Sequence, residues 1–94
     1  MPDETLEIRA VVKGWVQGVG FRFFATRSAE KTGVHGWVKN LPDGNLETLA
    51  QGSKSQLEEY LTKLREGPRT AQITDVEIHW QKPTRLYDSF FITY

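Results

Sequence analysis

The strongest constraint in this chain is a change of hydrophobic period across a glycine-rich joint. Leu6, Ile8, Ala10 and Val12 alternate with Glu7, Arg9, Val11 and Lys13, so Leu6 to Lys13 reads as a half-buried strand with one apolar and one mostly polar face. From Phe21 the period becomes helical. Phe21, Phe24, Ala25, Ser28 and Ala29 fall on one stripe, and Gly33 supplies a stop. Between them runs Gly14-Trp-Val-Gln-Gly-Val-Gly-Phe-Arg22, with glycines at 14, 18 and 20 and an arginine where the helix begins. A strand that passes through such a joint into a helix opens a β-α-β unit.

The rest of the chain repeats that plan. A second strand reads from Val34 to Asn40. Leu41-Pro-Asp-Gly44 is a tight turn, since Pro presets φ and Asp-Gly permits the reversal. A third strand, Leu46 to Gln51, completes a hairpin. Ser53-Lys-Ser-Gln56 is a capping-box pattern that opens a helix with Leu57, Tyr60, Leu61 and Leu64 on its apolar face. Glu59 and Lys63 stand four apart on its wet side, and Gly67-Pro68 ends it. A fourth strand runs from about Ile73 to Trp80, with Val76, Ile78 and Trp80 alternating against Glu77 and His79. Pro83 to Asp88 is a connection, and Phe90, Ile92 and Tyr94 alternate in a short terminal strand. The order is β-α-β-β-α-β plus one strand. It implies a single α+β domain of ferredoxin-like type, with two helices on one face of a mainly antiparallel sheet.

Composition narrows the function classes. Twelve Lys+Arg balance twelve Asp+Glu, so the basic excess usual in proteins that bind nucleic-acid backbones is missing. With no cysteine, disulfides, thiolate chemistry and cysteine metal sites are excluded. The longest apolar run is three residues, too short to span a membrane, and the acidic start lacks a signal pattern. A cytoplasmic protein is expected.

Topology sharpens the glycine-rich segment. A parallel crossover through the first helix puts the C-terminal ends of the first two strands at the same edge of the sheet. Arg22 and Asn40 are thereby expected around one pocket. Backbone N–H groups from about Gln17 to Phe21 would otherwise lack partners, and an anion satisfies several at once with help from the helix dipole. Arg22 adds paired donors suited to two phosphoryl oxygens. Two plainer readings stand beside this one: a connection that merely turns a corner, and an Asn40 that merely caps the Pro-Asp-Gly turn. Neither the nucleotide P-loop nor the dinucleotide fingerprint has this glycine spacing.

Val12-Lys-Gly-Trp-Val-Gln-Gly-Val-Gly-Phe-Arg22 resembles the first signature of the acylphosphatases. Gly36-Trp-Val-Lys-Asn40, with Gly44 and Gly52, resembles the second, and Tyr87 to Tyr94 resembles the family's closing strand. The resemblance implies hydrolysis of the carboxyl–phosphate bond of a small acyl phosphate, without metal or cofactor. It implies that Arg22 binds the phosphate, that Asn40 positions the water, and that Gln17, Gly18, Val19, Gly20 and Phe21 form the phosphate loop. Two positions depart from that pattern, and a third is one where the family varies. Leu46 replaces the customary Val, Thr93 stands where many animal members have Arg, and Gly20 occupies a variable position.

The chemistry is coherent with these residues. A carboxylate leaves as a stable anion, so no general acid is needed, and His35 and His79 are expected to be surface or half-buried bystanders. Charge on the transferring phosphoryl group would be held by N–H groups and Arg22. Phe21 and Phe24 read as core, whereas Trp15, Phe23 and Trp37 read as partly exposed near the site. Two rival classes share this framework: a sheet that stacks single-stranded RNA on exposed aromatics, and a regulatory domain that senses a small anion. Neutral net charge and a pocket aimed at one phosphate favour the hydrolase, with no nucleic-acid or membrane partner. A terminal strand that covers a sheet edge favours a monomer.

Overall fold

Each period in the sequence becomes an element of the same kind. The computed structural model describes residues 4–94, so the acidic start at 1–3 lies outside the described residues. In chain order they are β1 (Leu6–Trp15), α1 (Phe21–Thr32), β2 (His35–Asn40), β3 (Leu46–Gly52), α2 (Lys54–Glu66), β4 (Gln72–Gln81) and β5 (Phe90–Ile92). The strands form one sheet in the order β4-β1-β3-β2-β5. All neighbours are antiparallel except β2 and β5, which pair in parallel.

Both helices pack on the same face. Ile8, Ala10, Val12, Val38, Leu46 and Ala50 from the strands meet Phe21, Ala25 and Ala29 of α1 and Leu57, Tyr60, Leu61 and Leu64 of α2 in one core cluster. A polar relay crosses it. The buried Tyr60 hydroxyl lies 2.8 Å from Thr48 Oγ, which donates in turn to the Trp37 carbonyl at 2.8 Å.

The two helices start differently. Ser53 caps α2 with a complete capping box, its hydroxyl accepting from Gln56 N–H while Gln56 Oε1 accepts from Ser53 N–H. Gly20 stands at the cap of α1 and has no side chain to offer, so the first turn of α1 keeps its free donors.

Several sequence expectations shift. β1 continues two residues past Lys13, because a bulge between Lys13 and Gly14 lets it keep pairing with β4 through Trp15. Val34 belongs to the turn, its N–H bonded to Ala29 O, and β2 starts at His35. β5 stops at Ile92, short of Tyr94. Trp80 faces the helix side yet stays 46% exposed, because β4 is an edge strand. Glu59 and Lys63 form no ion pair among the described residues; both remain hydrated, which costs an exposed pair little.

The largest departure concerns the polar face. Glu7 was expected in water on the alternation of β1, but it is buried, with Gln51 and Gln81 donating to its two carboxylate oxygens at 2.7 and 2.5 Å. The chain must travel from β4 at one edge to β5 at the other, and it crosses this face as a strap. Gln51 pins it, donating to Arg85 O at 2.6 Å and accepting from Tyr87 N–H at 2.9 Å. His35 is exposed, and its Nδ1–H donates to Tyr87 O at 3.0 Å. Its role is to hold the strap.

Candidate active site

Strand register places the site. Leu46 of β3 pairs with Val12 of β1 on one side and with Asn40 of β2 on the other. Asn40 therefore stands level with Val12, three residues before the end of β1 and two strand spacings away, or roughly 9.6 Å. The loop that leaves β1 bends back toward it through Gly18 and Gly20, whose φ values of 73° and 77° lie in the left-handed region open to glycine. A Cβ at either would meet no atom within 4 Å, so backbone conformation, not crowding, calls for glycine here.

Gly18, Gly20, Phe21, Arg22 and Asn40 line one small cleft of about 110 Å³, together with Val16 and Phe23. No carboxylate lines it. Among the described residues, neither the Arg22 guanidinium nor the Asn40 carboxamide has a hydrogen-bond partner or a counter-ion. The guanidinium lies over the Tyr94 ring, 5.4 Å from its centroid. The backbone N–H groups of residues 17–22 likewise find no acceptor among the described residues. A half-buried cation, a half-buried amide and the uncapped start of α1 thus converge on one space.

The two other loop residues, Gln17 and Val19, are not among those that line the cleft. Gln17 turns its side chain away from the cleft, and Nε2 donates to Leu41 O at 2.7 Å and Asn45 O at 2.8 Å. Val19 lines a neighbouring groove, and its carbonyl accepts from Thr70 Oγ at 2.8 Å. Gln17 and Thr70 therefore tether the loop at both ends. Neither tether has a local sequence signal, because the partners are 24 and 51 positions away or more.

The turn after β2 has its own caps. Leu41 N–H bonds to Asn45 O, Gly44 N–H to Leu41 O, and Asp43 accepts from Asn45 N–H. Gln17 completes it. Asn40 takes no part in capping, which removes the plainer explanation for an asparagine there. Phe23 is 66% exposed at the rim and Trp15 is 71% exposed, whereas Phe21 is buried and meets Phe24 edge-on at 5.7 Å. His79 is exposed on β4, away from the cleft lining. Among the described residues, no group of three or more His, Cys, Asp or Glu could hold a metal ion.

Known proteins resemble the chain throughout. A family model described as acylphosphatase matches residues 8–92. An acylphosphatase of Thermus thermophilus is 49% identical over 77 residues, covering 82% of this chain and 88% of that protein. One from Bordetella parapertussis is 47% identical over 91 residues, covering 96% and 97%. A crystal structure of acylphosphatase from Bacillus subtilis superimposes with a TM-score of 0.92 at 36% identity, over 95% of this chain and 99% of that one. The uncapped loop, the arginine and the asparagine thus occur in a chain that belongs to the acylphosphatase family.

Proposed function

We propose that this chain hydrolyses acyl phosphates to a carboxylate and inorganic phosphate. The observation that carries the reading is the meeting of Arg22 and Asn40, both without partners among the described residues, across a cleft with no carboxylate in its lining. In this reading Arg22 and the N–H groups of the 17–21 loop hold the phosphoryl oxygens. Gln17, Gly18, Val19, Gly20 and Phe21 contribute backbone donors, so the outward turn of the Gln17 side chain is compatible with its place in the loop.

Asn40 orients a water for in-line attack. The water oxygen forms a bond to phosphorus as the bond from phosphorus to the acyl oxygen breaks. The electron pair leaves with the carboxylate. The water's proton passes to a phosphate oxygen, because the cleft supplies no side-chain base. Oriented donors preset for the transition-state charge are the main source of rate. The protein acts in this reading as a cytoplasmic monomer on a small-molecule substrate, with β5 covering the outer edge of β2.

The deciding experiment is steady-state hydrolysis of benzoyl phosphate with a chelator present. Turnover well above the uncatalysed rate is expected. Phosphate binding without turnover would instead favour an anion-sensing domain.

A further inference from the structure

Thr70 is exposed in the connection between α2 and β4, yet its hydroxyl is committed, with Oγ donating to the Val19 carbonyl at 2.8 Å. The segment that presents it is held in place. Ala71 N–H bonds to Pro68 O at 3.0 Å and closes a turn over 68–71, and Gly67 N–H bonds back to Lys63 O at 3.0 Å. Gly67 also lies against the first residue of α1, since a Cβ there would stand 3.2 Å from the buried Phe21 ring. The turn that bears Thr70 is thereby fixed relative to the start of α1.

The bond acts on one peptide unit. Val19 O and Gly20 N–H belong to the same peptide, which is trans, so they point in opposite directions. Gly20 lines the cleft and Val19 does not, and the Gly20 N–H has no acceptor among the described residues. Gly20 itself does not enforce this orientation. It stands at φ 77°, and glycine takes φ of either sign with similar ease, so half a turn of the peptide would meet no side-chain penalty at Gly20. The turned peptide would aim a carbonyl oxygen where the Gly20 N–H now points, and a carbonyl repels a phosphoryl oxygen that an N–H attracts. We infer that Thr70 is a positioning residue, whose hydroxyl latches the Val19–Gly20 peptide in the orientation that makes the Gly20 N–H a phosphate donor. The inference deepens the hydrolase reading above and rests on it.

The test uses Thr70→Val, which keeps the side-chain shape and removes the donor, and Thr70→Ser, which restores the hydroxyl. Inorganic phosphate is titrated into each isotope-labelled protein while the Gly20 amide resonance is followed, and hydrolysis of benzoyl phosphate is measured alongside. Thr70→Val should weaken phosphate binding and lower kcat/KM about two- to tenfold, the range that one hydrogen bond's net free energy spans. It should also shrink the shift that phosphate induces in the Gly20 amide. Thr70→Ser should return all three close to wild type. Thr70→Ala, which removes the donor without a branched side chain in the turn, should match Thr70→Val and keeps the test decisive if Val disturbs the turn. Wild-type phosphate affinity and an unchanged Gly20 shift in the Val and Ala variants overturn the inference, while hydrolysis by those variants leaves the hydrolase reading standing. A loss that Thr70→Ser fails to restore also overturns it, because the hydroxyl would not be the cause. A wild type that neither binds phosphate nor hydrolyses benzoyl phosphate overturns both.

Discussion

The side chain of Gln17 reaches out of the glycine-rich loop and donates to the Leu41 carbonyl at 2.7 Å, one residue past Asn40. Its second hydrogen goes to Asn45 O at 2.8 Å. One carboxamide thereby ties the loop that precedes Arg22 to the turn that follows Asn40. In the proposed mechanism the loop donors and the Asn40 amide must keep a fixed separation, and this clamp links the two segments that carry them.

Gln17→Ala is expected to cost about 1–3 kcal/mol of stability, since two carbonyls lose a donor. It should also weaken inorganic phosphate as a competitive inhibitor. Gln17→Glu should be worse than Ala in both respects, because a carboxylate would face two carbonyls with no hydrogen to give. Urea unfolding and inhibition constants check the order; equal behaviour of the two variants would argue against the clamp.

Arg22 and Asn40 should separate by phenotype. Asn40→Ala is expected to lose turnover of benzoyl phosphate by a factor equivalent to about 2.7–4 kcal/mol or more. Inorganic phosphate should still bind it. Arg22→Ala should lose both, and Arg22→Lys should recover little, because an ammonium cannot reproduce the planar paired donors. Calorimetric titration with phosphate beside the activity assay reads the difference. Near-native turnover in Asn40→Ala would remove its water-orienting role.

The relay from Tyr60 through Thr48 to the Trp37 carbonyl is directional. Thr48→Val strands a buried hydroxyl and should cost about 2–3 kcal/mol, whereas Tyr60→Phe leaves Thr48 still bonded to Trp37 O and should cost about 1 kcal/mol. The double variant should lose less than the sum. Burial also pushes the Tyr60 hydroxyl well above its ordinary pKa of 10.0. The unfolded chain therefore releases this proton before the folded protein does. That contribution is intact below pH 10 and erodes as pH climbs beyond it, and Tyr60→Phe should lack this part of the alkaline loss. Thermal melts across alkaline pH check it.

Gln51 should matter more than its strand position suggests. Gln51→Leu leaves Arg85 O and Tyr87 N–H without their partner and leaves the buried Glu7 with Gln81 alone. A loss of about 2–3 kcal/mol is expected. Amide exchange at Tyr87 should accelerate before that of the β1 and β3 core, since the strap is freed locally. Exchange that accelerates equally across the whole sheet would mean the strap is no separate unit.

Lys13 and Glu77 form an exposed pair at 2.5 Å between β1 and β4. Hydrogen bonding and charge from Glu77 raise the Lys13 pKa above 10.5, and the same contact from Lys13 lowers that of Glu77 below 4.5. The pair's small contribution is thus present between those ordinary values. It fades as pH falls through the lowered carboxyl and as pH rises through the raised amine. Glu77→Gln should flatten a corresponding small slope in melting temperature below about pH 4.5, and added salt should reduce the difference from wild type.

Much of this was legible locally. The apolar alternation of Ile8, Ala10 and Val12 in β1, the capping box at Ser53 and the αL stop at Gly33 all follow from side-chain period and backbone conformation within a few residues. The misread elements have distant causes. Glu7 alternates like any wet residue, yet its burial depends on Gln51, Gln81 and a strap more than seventy positions downstream. Gln17 reads as one more loop residue, because nothing near it in sequence announces carbonyls at 41 and 45.

The amino-acid sequence by itself determined a chain of strand, glycine joint and helix whose second half repeats the first, and a helix start with no side-chain cap. Those properties are short-range, set by φ, period and hydrogen-bonding capacity. Tertiary structure alone decided what the uncapped start faces. Pairing of Leu46 with both Val12 and Asn40 sets the level of the amide, Gln17 and Thr70 hold the loop against neighbouring segments, and α2 brings Lys63 across from Arg27 and Lys31. Register and side-chain partners are chosen by contacts between distant segments, and they exist only once the sheet has closed around its core.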